Sequence, residues 1–273
     1  MKKNKIKIVC LQTTSSKDPQ KNLNMLEELF LKVSSKVDLI CLPECVAIFS
    51  DNVKDINLFL KKYKESFFNF IKEQAKKKNS SILVGSVPER YNESKFVNRS
   101  YIYDNKGLEK TVYDKINLFD VYLSKNESYL ESKNYEAGKK IIVSNMSWGK
   151  IGMTICYDLR FPSLYKKLAK KGVDFFSVPA AFTFTTGRAH WHTLIRARAI
   201  ENGCFVFAPA QCGIHDNGRK TYGHSMIVNP WGKILVEAKD SKKKIISTEI
   251  NIGEIIECRQ KIPSMTDFNP YTK

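Results

Sequence analysis

Three residues of this chain combine a reactive side chain with a telling position: Glu44, Lys115 and Cys156. Each stands where a short apolar run gives way to polar residues: ICLPECVAIF for Glu44, KTVYDKINLFD for Lys115 and TICYDLRFP for Cys156. A carboxylate can take a thiol proton, the thiolate can attack a carbonyl carbon, and an ammonium can hold the oxyanion that develops. Ahead of Cys156, Ile151, Met153 and Ile155 alternate as in a buried strand. Tyr157, Asp158, Arg160 and Pro162 then turn the chain at once. A thiol on such a turn is held rigidly and faces a cleft; the alternative is a small buried hydrophobe, as free cysteines commonly are. Residue types alone leave other assignments open. Glu44 after Pro43 also suits a helix start, and Lys115 is one lysine among many. His190, His192 or His224 could equally serve as the base of a Cys–His dyad.

Short strand-like runs alternate with longer helical ones and must position these groups. Strands are expected over 5–11, 38–42, 81–87, 141–144, 150–155, 174–178, 204–210 and 244–250. Helices are expected over 22–37, 55–78, 162–171 and 188–202. Hairpins are expected around Asn105-Lys106-Gly107 and Pro230-Trp231-Gly232. Residues 117–140 show no period and read as a long functional loop. No linker, repeat or low-complexity block interrupts 1–273, so one α/β domain is expected. In such folds the strand ends that carry Glu44, Lys115 and Cys156 converge on one edge of a sheet, where ligands bind.

Composition narrows the class. At 42% hydrophobic residues, 273 residues can bury a substantial core. No run approaches the ~20 apolar residues of a membrane span. The opening MKKNKIKIVCLQTT alternates like a strand and holds no signal-peptide core. A soluble cytoplasmic protein with its seven cysteines reduced is therefore expected. Neither the Cys41/Cys45 nor the Cys204/Cys212 spacing suits a zinc ribbon, and the histidines lack HxxxH-type spacing. No metal is expected. The net charge of +17 invites a nucleic-acid reading, but only eight of the 45 basic residues are arginine, the residue that reads bases and phosphates bidentately. The lysines are spread along helix faces and turns, as on a solvated surface.

The motifs LPE, YDKINLFD and CYDLRFP, in this order, resemble the nitrilase superfamily of carbon–nitrogen hydrolases, and the resemblance runs from the first strand to about Tyr271. It implies a four-layer αββα sandwich, a Glu44–Lys115–Cys156 triad, and Glu131 in YLES as a second glutamate that orients the triad or assists proton transfer. It also implies that Arg160 pairs with a substrate carboxylate, that Phe182 and Thr186 complete the pocket, and that the Tyr157 backbone N–H joins Lys115 at the oxyanion. The segments TTGRAHWHTLIRARAIENGCFVFAPAQCG and TYGHSMIVNPWG are similar to those of the amidases of deaminated glutathione. Cys45-Val46-Ala47 and Arg188 depart from the family's common pattern and border the expected cleft. The implied reaction is amide hydrolysis of a 2-oxo amide acid through a thioester, releasing ammonia, in a homodimer and without a cofactor. An omega-amidase acting on 2-oxoglutaramate or 2-oxosuccinamate is the alternative, and a silent partner- or polyanion-binding protein is the alternative of another class.

Overall fold

A computed structural model describes residues 3–124 and 127–264; Tyr271 lies outside the described residues. Two mixed six-stranded sheets stack face to face, with helices on their outer faces. The first sheet runs, in spatial order, Lys244–Asn251, Lys5–Gln12, Leu39–Cys41, Ser81–Arg90, Phe96–Tyr103 and Glu109–Asp114. The second runs Val143–Met146, Gly149–Met153, Phe175–Ser177, Phe205–Ala208, Met226–Val228 and Ile234–Glu237. Read in these directions the two sheets share one pattern: an antiparallel edge strand, three parallel strands, then two more antiparallel ones. The chain has built the same half-sandwich twice.

Side-chain alternation fixes the layers. Ile6, Ile8 and Cys10 join the core between the sheets, whereas Val9 and Leu11 join the core under the outer helices Pro19–Lys32 and Lys64–Lys78. In the second sheet Phe175 stacks on Phe205 and Phe207 on one face, while Phe176 meets Tyr165 of the helix Pro162–Lys170 on the other.

Several expected boundaries shift for local reasons. The first helix starts at Pro19, capped by the Asp18 carboxylate, and ends at Lys32 because Val33 is extended. The expected helix over 55–78 is broken by a π-turn at Phe59–Tyr63. The helix expected from Arg188 begins at Phe184, where the Thr183 hydroxyl caps it. The expected loop over 117–140 contains a two-stranded ribbon, Asp120–Ser124 with Glu127–Leu130, half-exposed along its length, so no apolar period marks it. The ribbon Cys212–Ile214 with Lys220–Tyr222 and the helix Gly253–Lys261 have no counterpart in the sequence reading.

Candidate active site

Glu44, Lys115 and Cys156 come together at one edge of the sandwich. Glu44 lies three residues beyond Leu39–Cys41, Lys115 directly after Glu109–Asp114, and Cys156 three residues beyond Gly149–Met153. Two glycines permit this. A Cβ on Gly85 would sit 2.1 Å from the Leu42 carbonyl oxygen, so only glycine lets that strand pass under the segment presenting Glu44. Gly138 stands in the same relation to Asp114, beside Lys115.

The Lys115 ammonium, 2% exposed, donates to Glu44 Oε1 at 2.9 Å and to Glu131 Oε2 at 2.9 Å. Asn98 Nδ2 bridges the same carboxylates, 3.0 Å from Glu44 Oε1 and 3.1 Å from Glu131 Oε1. The Ala181 N–H donates to Glu44 Oε2 at 2.8 Å, and the Phe119 N–H to Glu131 Oε2 at 2.6 Å. The Cys156 thiol shares a cavity with the Glu44 carboxylate, close enough for each to shift the other's titration.

Burial pushes the Cys156 thiol well up, and the Glu44 charge adds to it. Burial alone would raise Glu44 as well, but the Lys115 ammonium, with the neighbouring thiol, overrules it and holds the carboxyl below the ordinary range. Burial would likewise lower Lys115, yet the charges of Glu131 and Glu44 raise it well above the usual lysine value. The resting site is thus a neutral thiol against a carboxylate backed by an ammonium, which suits proton removal from sulfur at the moment of attack.

Cys156 opens a 3-10 turn, Cys156–Arg160, with φ of +46°, a left-handed conformation that is costly for a residue with a Cβ. Its N–H is tied to the Pro179 carbonyl at 2.9 Å. Asp158, fully buried, locks this turn to the lysine-bearing segment. It accepts from the Ile155 N–H at 2.9 Å, the Tyr113 hydroxyl at 2.7 Å and both the N–H and Nδ2 of Asn117 at 2.9 and 2.8 Å. This positioning role was not visible in the sequence.

A cavity of about 300 Å³ opens on the thiol, lined by the polar and thiol groups of Glu44, Cys45, Asn98, Lys115, Glu131 and Cys156 and by Phe49, Phe119, Tyr129, Tyr135 and Arg219. Arg219 was not singled out in the sequence. Its Nη2 donates to the Ala181 carbonyl at 2.9 Å, and its guanidinium lies 4.7 Å from the Tyr129 ring centre and 5.4 Å from that of Phe49. Its Nε is buried without a hydrogen-bond partner among the described residues.

Arg160, Phe182, Thr186 and Tyr157 do not line this cavity. Arg160 faces His190 Nδ1 at 3.2 Å and lies over the Phe182 ring, 5.1 Å from its centre. Phe182 packs on Trp191, and the Thr186 hydroxyl meets that of Thr183 at 2.8 Å in the helix cap. The Tyr157 ring backs Phe119, with centres 5.1 Å apart. Its N–H lies at the start of a helical turn, where such groups lack intrahelical acceptors.

Behind Phe49, the buried His215 ring stacks at 3.7 Å. It lies 2.8 Å from the Ser15 carbonyl through Nδ1 and 2.8 Å from the Thr221 hydroxyl through Nε2, so the neutral ring donates from Nδ1 and accepts at Nε2. Burial lowers its pKa to about 4. Above about pH 6.5 folded and unfolded chains both hold neutral imidazole here. Below it the unfolded chain takes a proton that the folded one refuses, so stability falls as pH drops toward 4, by about 2 kcal/mol at pH 5. Urea unfolding at pH 7 and pH 5 should show a loss smaller by that amount in His215→Gln. Equal losses would show that the ring protonates without cost in the fold.

Residues 7–260 match the family described as carbon-nitrogen hydrolase. The chain is 38% identical to a deaminated glutathione amidase of Dictyostelium discoideum, over 95% of its own length and 93% of that protein's. It is also 38% identical to one from Synechocystis, over 93% and 95% of the two chains. Among solved structures, Saccharomyces cerevisiae Nit3, a member of branch 10 of the nitrilase superfamily, superposes with a TM-score of 0.84 at 30% identity, over 99% of this chain and 98% of that one. The C. elegans NitFhit protein gives 0.88 at 33% identity, over 98% of this chain and 66% of that one.

Proposed function

Since the chain belongs to the carbon–nitrogen hydrolase family and is an amidase of it, we propose that it cleaves the amide of a 2-oxo acid such as deaminated glutathione, with Cys156 as nucleophile. The observation that carries this reading is the meeting, in one cavity, of the Glu44–Lys115–Cys156 constellation and the Arg219 guanidinium. A thiol beside a carboxylate calls for acyl transfer, and a partly buried guanidinium calls for an anionic substrate. The relatives' names favour deaminated glutathione. A smaller 2-oxo amide of the omega-amidase type is the second reading, favoured by a cavity at the lower end of the range for small-molecule sites.

The geometry supports the following course. Glu44 takes the thiol proton as sulfur attacks the amide carbon. Lys115 donates one hydrogen bond each to Glu44 and Glu131, which leaves its third N–H for the oxyanion, together with the Tyr157 N–H. Glu131 keeps the ammonium in place. The C–N bond breaks as Glu44 returns its proton to the leaving nitrogen. That nitrogen departs as ammonia from a primary amide and as the amine of cysteinylglycine from deaminated glutathione. Glu44 then deprotonates a water, which attacks the thioester carbon, and the proton finally returns to the sulfur. The freed 2-oxo acid is the readout common to both substrates.

The test compares an acid amide with its methyl ester. A charge-assisted bond is worth about 1.5–3 kcal/mol, so Arg219→Ala should lower kcat/KM for the acid about 10- to 150-fold and leave the ester little changed. Arg160→Ala belongs in the same assay, because the family resemblance gives that residue the carboxylate. Whichever variant loses the acid alone identifies the reading residue. Equal losses on acid and ester in both variants would remove the carboxylate from the proposal. We further propose a cytoplasmic homodimer, supported by exposed Ile200 and Trp231 on adjoining segments; sedimentation at working concentration tests the dimer.

A further inference from the structure

Away from the cavity, side chains from three separate segments point at one spot. His192 comes from the helix Phe184–Asn202, His224 stands two residues after the strand Lys220–Tyr222, and Glu237 ends the edge strand Ile234–Glu237. His192 Nε2 lies 2.9 Å and His224 Nδ1 2.6 Å from the same Glu237 oxygen, Oε1. The three side chains are 32%, 20% and 12% exposed.

We propose that His192, His224 and Glu237 bind one first-row divalent cation, zinc foremost, in a site that clips the edge strand to the helix. The proposal is independent of the amidase reading. Two imidazoles and a carboxylate form a donor set suited to such ions, with further positions left for water. Metal–ligand bonds of about 2.0–2.2 Å at tetrahedral angles separate ligand atoms by roughly 3.3 Å. The present 2.6 and 2.9 Å need to open by about 0.4–0.7 Å to reach that separation, and all three candidate ligand atoms already lie within 4.8 Å of one another. On binding, each imidazole presents a lone pair where it now points a hydrogen at the carboxylate.

The site is held before any ion arrives. His224 adopts a left-handed φ of +54°, its carbonyl accepts from Trp191 Nε1 at 2.9 Å, and its ring stacks on Tyr222 with centres 4.2 Å apart. A non-glycine residue in that conformation is strained and persists only where its surroundings fix it. No spacing motif announces the set, because each ligand comes from a different segment. That is why the absence of HxxxH spacing led the sequence reading to expect no metal.

The experiment titrates zinc, and separately cobalt, into metal-stripped full-length protein. The seven cysteines are competing ligands, so the cobalt spectrum must report ligand type. One cobalt per chain is expected, with d–d bands and no thiolate-to-metal charge transfer. Zinc at a hundredfold excess over its Kd should raise Tm by about 5–10 °C. His192→Ala removes a third-exposed side chain from a helix, so it should fold normally. It and the near-isosteric Glu237→Gln should each lose both the cobalt bands and the zinc-dependent rise. Charge-transfer bands, binding undiminished in either variant, or a Tm indifferent to zinc would overturn the proposal and leave two imidazoles sharing a carboxylate.

Discussion

Cys156→Ala is expected to fold as the parent does and to lose amide hydrolysis by a factor on the order of 10⁵–10⁶, because a covalent route does not survive loss of its nucleophile. The fold should hold for specific reasons. Alanine meets the same left-handed φ as cysteine at this position, the N–H bond to Pro179 belongs to the backbone, and the side chain removed is a single sulfur. The sharper comparison is Cys45, which also lines the cavity and also has a left-handed φ, +56°. Burial and the Glu44 charge raise both thiols. Of the two, Cys156 is the one whose thiol bears on the Glu44 carboxyl, the group placed to take its proton. Cys45→Ala should therefore keep turnover within about tenfold of the parent, whereas Cys156→Ala should not. Initial rates of 2-oxo acid release on the two variants decide it. Near-parental turnover in Cys156→Ala would move the nucleophile elsewhere.

What the sequence made legible was local. Glu44 and Cys156 each follow a run of apolar residues, and the end of such a run is visible without a partner; Lys115 follows Glu109–Asp114, whose only apolar residues are Val112 and Tyr113, and was legible through its motif. The layered sandwich was legible only through the family resemblance; that Ile6, Ile8 and Cys10 face one core and Val9 and Leu11 the other is a finding of the structure. What stayed hidden depends on contacts across the chain. Arg219 sits in the turn between two short strands, and its anchor, the Ala181 carbonyl, is 38 residues away. Asp158 reads as a turn acid until Tyr113 and Asn117 fold onto it. The resemblance gives Arg160 a substrate carboxylate, and the structure sets that residue beside the Tyr157 and Phe182 rings and His190. The ribbon over 120–130 escaped because half-exposed strands carry no apolar face of their own.

Lys115 is the residue at which catalysis and stability should come apart. It is a buried cation between two carboxylates, Glu44 and Glu131. Lys115→Met removes the charge and leaves both acids in a desolvated site, which should cost about 3–5 kcal/mol of stability. The pH response should then change sign. In the parent, Glu44 is held below its ordinary value, so its contribution is present above about pH 4.5 and lost as pH falls through the lowered value. Without the ammonium, burial raises the Glu44 carboxyl above its unfolded value, so the variant should lose stability as pH rises from about 4.5 toward 7. Lys115→Arg separates the two roles. A guanidinium satisfies both carboxylates, so more of the stability should return. Its rigid fork does not reproduce the compact third donor, so turnover should stay about 100- to 1000-fold down. Denaturation curves at pH 5 and pH 7 beside kcat for both variants test this. If Lys115→Arg recovers rate and stability together, the ammonium is a counter-ion and the oxyanion is held by other donors.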